Sequence, residues 1–173
     1  MSQKEGYINF EEYSQVGEPQ KAERAYAWST AIGLQAVDGL TVSQYLKDTA
    51  IRNIEGEITI DEARELIKTY YQTKTSREPD DEEKQEADKV SGNIAKIIAE
   101  QSFSFSVPTL ISFHRHIFEG VFKHAGELRP CDITKKEWVL RGDTVLYGRS
   151  QDLRMALEYD LEQERQFDYS GLN

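Results

Sequence analysis

Apolar positions recur at helical spacing through most of the first half of the chain. Glu18-Pro19 suits a helix start, because proline at the first helical position lacks only an N–H that would have no partner inside the helix. Ala22, Ala25, Ile32 and Ala36 follow on one face until Asp38-Gly39 ends the run. Thr41 and Gln44 then stand in the capping-box relation, and Val42, Leu46 and Ala50 form a stripe that stops at Gly56. Thr59 and Glu62 repeat the device ahead of Ile60, Ala63, Leu66, Ile67 and Tyr70. Three helices with tight connections are therefore expected between 18 and 72.

The stretch QTKTSREPDDEEKQE is charged, has no apolar residue and contains Pro79, which predicts a solvated linker over 73–86. Beyond it, Ala87, Val90, Ile94, Ile97 and Ile98 mark another amphipathic helix. Ser106 suits a cap before Pro108, and Leu110, His114, Ile117, Phe118 and Val121 line a helix expected to end near His124 to Gly126. Then the period changes. In KEWVLRGDTVLYG the apolar pairs Trp138/Val139 and Val145/Leu146 flank Arg141-Gly142-Asp143, which predicts a β-hairpin over 136–148 with at least one unpaired edge. Ser150 can cap a last helix with the stripe Leu153, Leu157 and Leu161. The expected fold is mostly α with one β-hairpin: a helical segment over 1–72, a charged linker over 73–86 and a second region over 87–173.

Charge narrows the function classes. Acids outnumber bases 31 to 21, for a net charge of −10, so no basic face for a phosphate backbone is expected and nucleic acid is not an expected partner. No apolar run is long enough to cross a bilayer, so no membrane partner is expected either. The start, MSQKEGYINFEEY, lacks the apolar stretch of a signal peptide, and a cytoplasmic protein is the resulting expectation. Cys131 stands alone, without a cysteine for a disulfide or a shared metal. The three histidines crowd into HRHIFEGVFKHAGELRP, where His114 and His116 are two apart on opposite sides of a helix and do not converge on a metal. No metal or cofactor is expected on this chain, and no serine or cysteine has an identifiable base.

Residues 109–148 resemble the first half of a Fic domain, the family that transfers AMP, or occasionally another phosphate-containing group, onto protein hydroxyls. The resemblance rests on the helix with His114, Phe118 and Phe122, the turn Ala125-Gly126-Glu127-Leu128-Arg129, and then Asp132-Ile133-Thr134-Lys135. His124 stands where the family's turn usually has tryptophan. The resemblance implies that Gly126, Glu127 and Arg129 are structural, with Glu127 and Arg129 pairing to hold the turn. It also implies that the hairpin is a flap docking a target protein segment by main-chain pairing, with Thr134 and Lys135 at its base and Lys136, Val139, Val145, Leu146 and Tyr147 along it. The family's catalytic motif, His-Pro-Phe-x-x-Gly-Asn-Gly-Arg with a second arginine, does not occur. No histidine follows His124, and Gly92-Asn93 lies in a predicted helix. No catalytic residue is assigned; ATP and magnesium are implied only for complete relatives.

A second resemblance covers residues 27–67, AWSTAIGLQAVDGLTVSQYLKDTAIRNIEGEITIDEARELI, which look like the small three-helix antitoxin module found beside or fused to Fic domains. That module carries a hydroxyl residue, three further residues, then Glu-Gly, and its glutamate blocks productive ATP binding by pairing with the second motif arginine. Asp38-Gly39 stands at the matching place, with aspartate for glutamate and Leu34 where the hydroxyl residue belongs. Glu55-Gly56 is a rival, preceded by Ile51 at that spacing, and a plain helix stop explains Asp38 equally well. The implied function is the N-terminal regulatory and target-docking part of a Fic-family protein, inactive in AMP transfer on its own. The alternative is a non-enzymatic binding module or an inhibitor of a separate Fic enzyme. A face of Leu110, Ile117, Phe118 and Leu157 left uncovered would favour self-association.

Overall fold

The computed structural model describes residues 8, 10–15, 18–76, 78–100, 102–136 and 141–171. The order is α1 (Phe10–Gln15), α2 (Pro19–Val37), α3 (Gln44–Glu55), α4 (Ile60–Thr73), α5 (Asp81–Glu100), α6 (Val107–Phe118), β1 (Thr134–Lys136), β2 (Thr144–Leu146) and α7 (Leu153–Gln166). The fold is mostly helical with one small antiparallel hairpin. The chain divides into two compact units, residues 1–102 with 116–125, and residues 103–115 with 126–173.

In the first unit α2 packs on α5, α4 packs on α5, and α1 and α3 flank them. The core gathers Trp28, Ala31, Leu46, Ala50, Ile54 and Ile67, all at or near complete burial. Enclosing each large aliphatic here stabilises by roughly 1.5–3 kcal/mol. Helix ends follow local chemistry. Gly39 (φ +78) and Gly56 (φ +83) take the left-handed turn past α2 and α3 that a residue with a Cβ adopts only at a cost. Thr59 and Glu62 form the expected reciprocal capping box at α4.

Three expectations shift. The cap of α3 is Ser43, not Thr41: its hydroxyl accepts from Leu46 N–H at 3.0 Å. The helix α5 starts at Asp81, inside the segment expected as linker, because an acid there is bound twice: Lys74 Nζ donates to it at 2.6 Å and Glu78 N–H at 2.8 Å. Acidic residues also suit a helix N-terminus. Finally, α6 ends at Phe118, six residues before the expected stop at His124, where Gly120 (φ +72) turns the chain.

In the second unit the first nine residues of α6 (107–115), the hairpin and α7 come together around little enclosed volume: among the described residues only Val107 and Gly126 are buried. The helix α7 has no buried residue, and its expected stripe, Leu153, Leu157 and Leu161, is half-buried. No helix among the described residues is long and apolar enough to cross a membrane.

Candidate functional site

The hairpin is built from its base. Arg129 donates through Nη1 to the Cys131 carbonyl at 2.6 Å and through Nη2 to the Gly148 carbonyl, so one guanidinium joins the chain entering β1 to the chain leaving β2. Asp132 adds a second tie, accepting the Ser150 N–H at 2.6 Å; that bond, and the nearby Arg129 charge, hold its carboxyl below the usual range. Above these ties the register is Thr134↔Leu146, Lys135↔Val145 and Lys136↔Thr144. No third strand pairs with either strand among the described residues. Leu146 is 80 % exposed, and Tyr147 is exposed beside it.

Of the expected flap residues, Thr134, Lys135 and Lys136 form β1, Val145 and Leu146 lie in β2, and Tyr147 follows directly. Thr134 and Lys135 open β1 at the end of the ladder farthest from the turn, next to the ties of Arg129 and Asp132. Val139, with Trp138, lies outside the described residues. Arg141 (φ 57) and Gly142 (φ 90) carry the left-handed conformations of the connecting turn, and Val145 is half-buried.

Ahead of the hairpin, Gly126 is held in a cradle. Its N–H donates to His114 Nδ1 at 2.8 Å, its φ is +79°, and a Cβ added there would stand 2.7 Å from Arg115 Cβ. Only glycine fits that combination. Because Nδ1 accepts, the neutral His114 ring carries its proton on Nε2. The histidine thus serves the turn. Glu127 is exposed and does not pair with Arg129, whose donors go to carbonyls instead. His124 stacks on Phe122 at 5.4 Å. Cys131 is exposed.

Asp38 and Gly39 lie in the first unit, at the end of α2. Asp38 N–H bonds the Gln35 carbonyl and Gly39 N–H the Ala36 carbonyl, each at 3.1 Å, the geometry of a helix stop. The Asp38 side chain is exposed and meets no cation among the described residues, so its charge is presented outward. Leu34 is exposed one turn earlier.

A buried polar network lies away from every candidate residue that the sequence offers. Asp88 on α5 is wholly enclosed and accepts Ser43 N–H at 2.8 Å, Ser43 Oγ–H at 2.5 Å and Tyr71 O–H at 2.7 Å. It ties the start of α3 and the end of α4 to α5. Burial pushes its carboxyl pKa up, against the pull of the Ser43 and Tyr71 donors; burial and the Asp88 charge push the Tyr71 phenol up. The signal was legible: Asp88 shares a helix face with Ser91 and Ala95. Asn93 makes a second tie, donating to the Ile117 carbonyl at 2.9 Å while accepting Arg64 Nε–H at 2.9 Å. Both networks are closed among protein groups, which suits positioning rather than chemistry.

Searches against protein-family models, curated proteins and solved structures find no match.

Proposed function

We propose that this chain is the regulatory and target-docking part of a Fic-type protein that transfers AMP from ATP to hydroxyls of other proteins. The observation that carries the reading is the Arg129-clamped hairpin, with no third strand among the described residues, directly after Ala125-Gly126-Glu127-Leu128-Arg129. A two-stranded ribbon with a closed base is a preformed edge onto which a target segment adds as a further strand. Asp38, outward-facing at the end of α2, supplies the carboxylate that restrains a phosphate-binding arginine.

The residues present do not fit ATP and magnesium. Among the described residues the carboxylate trio is Glu78, Asp80 and Asp81, and Lys74 and Lys84 each bond it at 2.6 Å. Gly92-Asn93 is inside α5, its asparagine committed to Ile117 and Arg64. Nucleotide chemistry in this proposal belongs to a His-Pro-Phe motif, which residues 1–173 do not contain.

The test is to follow the reading frame past Asn173 and assay both lengths with labelled ATP, magnesium and a lysate. The longer product is expected to contain the motif and to label protein, while the 173-residue chain labels none. A stop codon directly after Asn173 would favour the binding-module reading. Label transferred by the 173-residue chain, and lost in His114→Ala or His124→Ala, would place an active site in the turn and overturn the assignment.

A further inference from the structure

We infer that a groove of the first unit docks a cationic amphipathic segment of another polypeptide. The groove encloses about 720 Å³ beside the first turns of α2, the 56–60 turn and the last turns of α5. Its floor is apolar, with Trp28, Ile58, Ile60, Ala95 and Ile98, and the small side chains of Ala95 and Ala99 leave room for a helix to lie close. Such a surface takes the apolar face of a helix.

The walls are set before anything binds. Trp28 Nε1–H donates to Asn53 Oδ1 at 2.9 Å, and Asn53 Nδ2–H donates to the Ile58 carbonyl at 2.9 Å. Arg24 donates through Nε and Nη2 to the Ile54 carbonyl at 3.1 and 2.8 Å. A wall already immobilised loses little further freedom on association, which favours affinity.

Charge selects the partner. Glu23, Glu57 and Glu62 edge the groove against a single lining cation, Arg24, which is committed to the end of α3. Glu62 accepts the Thr59 N–H at 2.7 Å, and the Thr59 donors hold its carboxyl below the usual range, so it stays anionic. Glu57 shares its charge with Arg52 at 3.4 Å; Glu23 meets no cation among the described residues. Tyr26 stands 67 % exposed at the lip, an aromatic face for a lysine or arginine. An apolar floor with an acidic rim fits a helix with aliphatic residues on one side and basic residues flanking them.

The experiment titrates the full chain, by calorimetry, with an amphipathic peptide of about 14 leucines and lysines, long enough to form a helix. A leucine–glutamate peptide of the same pattern is the comparison. The lysine peptide is expected to bind and the glutamate peptide not to. Glu23→Lys with Glu57→Lys is expected to weaken binding roughly tenfold. Ala99→Trp, a change at an exposed position that fills the groove, is expected to weaken it comparably. The control pair Glu158→Lys with Asp160→Lys, on α7, makes the same change in net charge and is expected to cost less than about twofold. Circular dichroism confirms that each variant folds. Failure of the lysine peptide to bind, equal binding of the glutamate peptide, equal loss in the control pair, or unchanged affinity in Ala99→Trp overturns the assignment.

Discussion

The two units of this chain solve the problem of apolar surface differently. In the first, an indole and a run of aliphatic side chains are sealed between four helices, and the buried polar groups Asp88, Asn53 and Asn93 all find partners. In the second, Leu110 is 40 % exposed, Phe103 and Met155 more so, and α7 buries nothing. Order in the second unit rests on point ties: an arginine on two carbonyls, an aspartate on an amide, a histidine on a glycine N–H. A sealed core makes a unit independent of its surroundings; a unit held by ties stays receptive to whatever covers it. The lesson is that enclosure carries the stability of the first unit, while local ties carry the order of the second.

The strongest challenge to that division is a pair of truncations. Leu46→Ala, at a completely enclosed site, is expected to cost about 2–5 kcal/mol in urea unfolding. Leu157→Ala, half-buried on α7, is expected to cost about 1 kcal/mol or less. Amide exchange sharpens the contrast, with slow exchange in α3 and α5 and fast exchange in α7. Equal losses from the two truncations would mean that the second unit holds a core of its own. Because its open face also invites self-association, light scattering of the wild type should show more than one chain per particle.

Asp88 tests whether the seal of the first unit depends on a charge. Asp88→Asn is expected to cost about 1–3 kcal/mol through weakened acceptance from Ser43 and Tyr71. Its pH dependence has a definite sign. Burial raises the folded-state pKa of Asp88, so its contribution is complete below the ordinary carboxylate value, about 3.9, and declines as pH rises through the folded value. The deficit of Asp88→Asn should therefore shrink as pH rises from 4 to 8. Asp61 and Asp81 have lowered pKa values, from the bonds of Lys96 and Lys74, so their contributions are lost in the opposite direction, as pH falls. A deficit that grows with pH would mean that the three donors outweigh burial at Asp88.

How much of this could be read in the chain depends on whether the cause was local. The Thr59–Glu62 box, the Gly39 and Gly56 stops and the antiparallel hairpin all follow from residues close in sequence. The start of α5 did not, because a run of acids reads as solvated until Lys74 and the Glu78 amide are placed around Asp81. The cap of α3 was displaced to Ser43 because that hydroxyl also serves Asp88, a residue 45 positions away. In the candidate site, the turn glycine was legible from the Ala-Gly-Glu pattern. The task of Arg129 was not, since its carbonyl partners depend on where the hairpin closes.

Gly126→Ala probes the ties of the second unit. The left-handed φ and the contact with Arg115 together predict a local cost of about 1–2 kcal/mol. The readout is faster amide exchange in Thr144–Leu146 with little change in α3 and α5. Loss confined to the first unit would show that the turn does not support the hairpin.

The smallest stability effect is expected at Asp38, and there the two explanations of one residue separate. As a helix stop, Asp38 contributes through backbone geometry that Gly39 largely secures, so Asp38→Gly should change stability by less than about 0.5 kcal/mol. As a restraint on a phosphate-binding arginine, its carboxylate acts only where that arginine is present. Under the proposed function, the informative measurement is AMP transfer by a protein that carries the His-Pro-Phe motif together with these residues, with Asp38→Gly and Asp38→Asn compared at equal stability. Breaking a charge-assisted bond of about 1.5–3 kcal/mol corresponds to a rate increase of roughly ten- to a hundredfold. Asn should release most of it, since it keeps the size and loses the charge. Glu55→Gln is the control for the rival Glu55-Gly56 pair, because Glu55 is already bonded to Lys21 at 2.8 Å and should leave the rate unchanged. Unaltered transfer in both Asp38 variants would leave the residue as the end of α2 and nothing more.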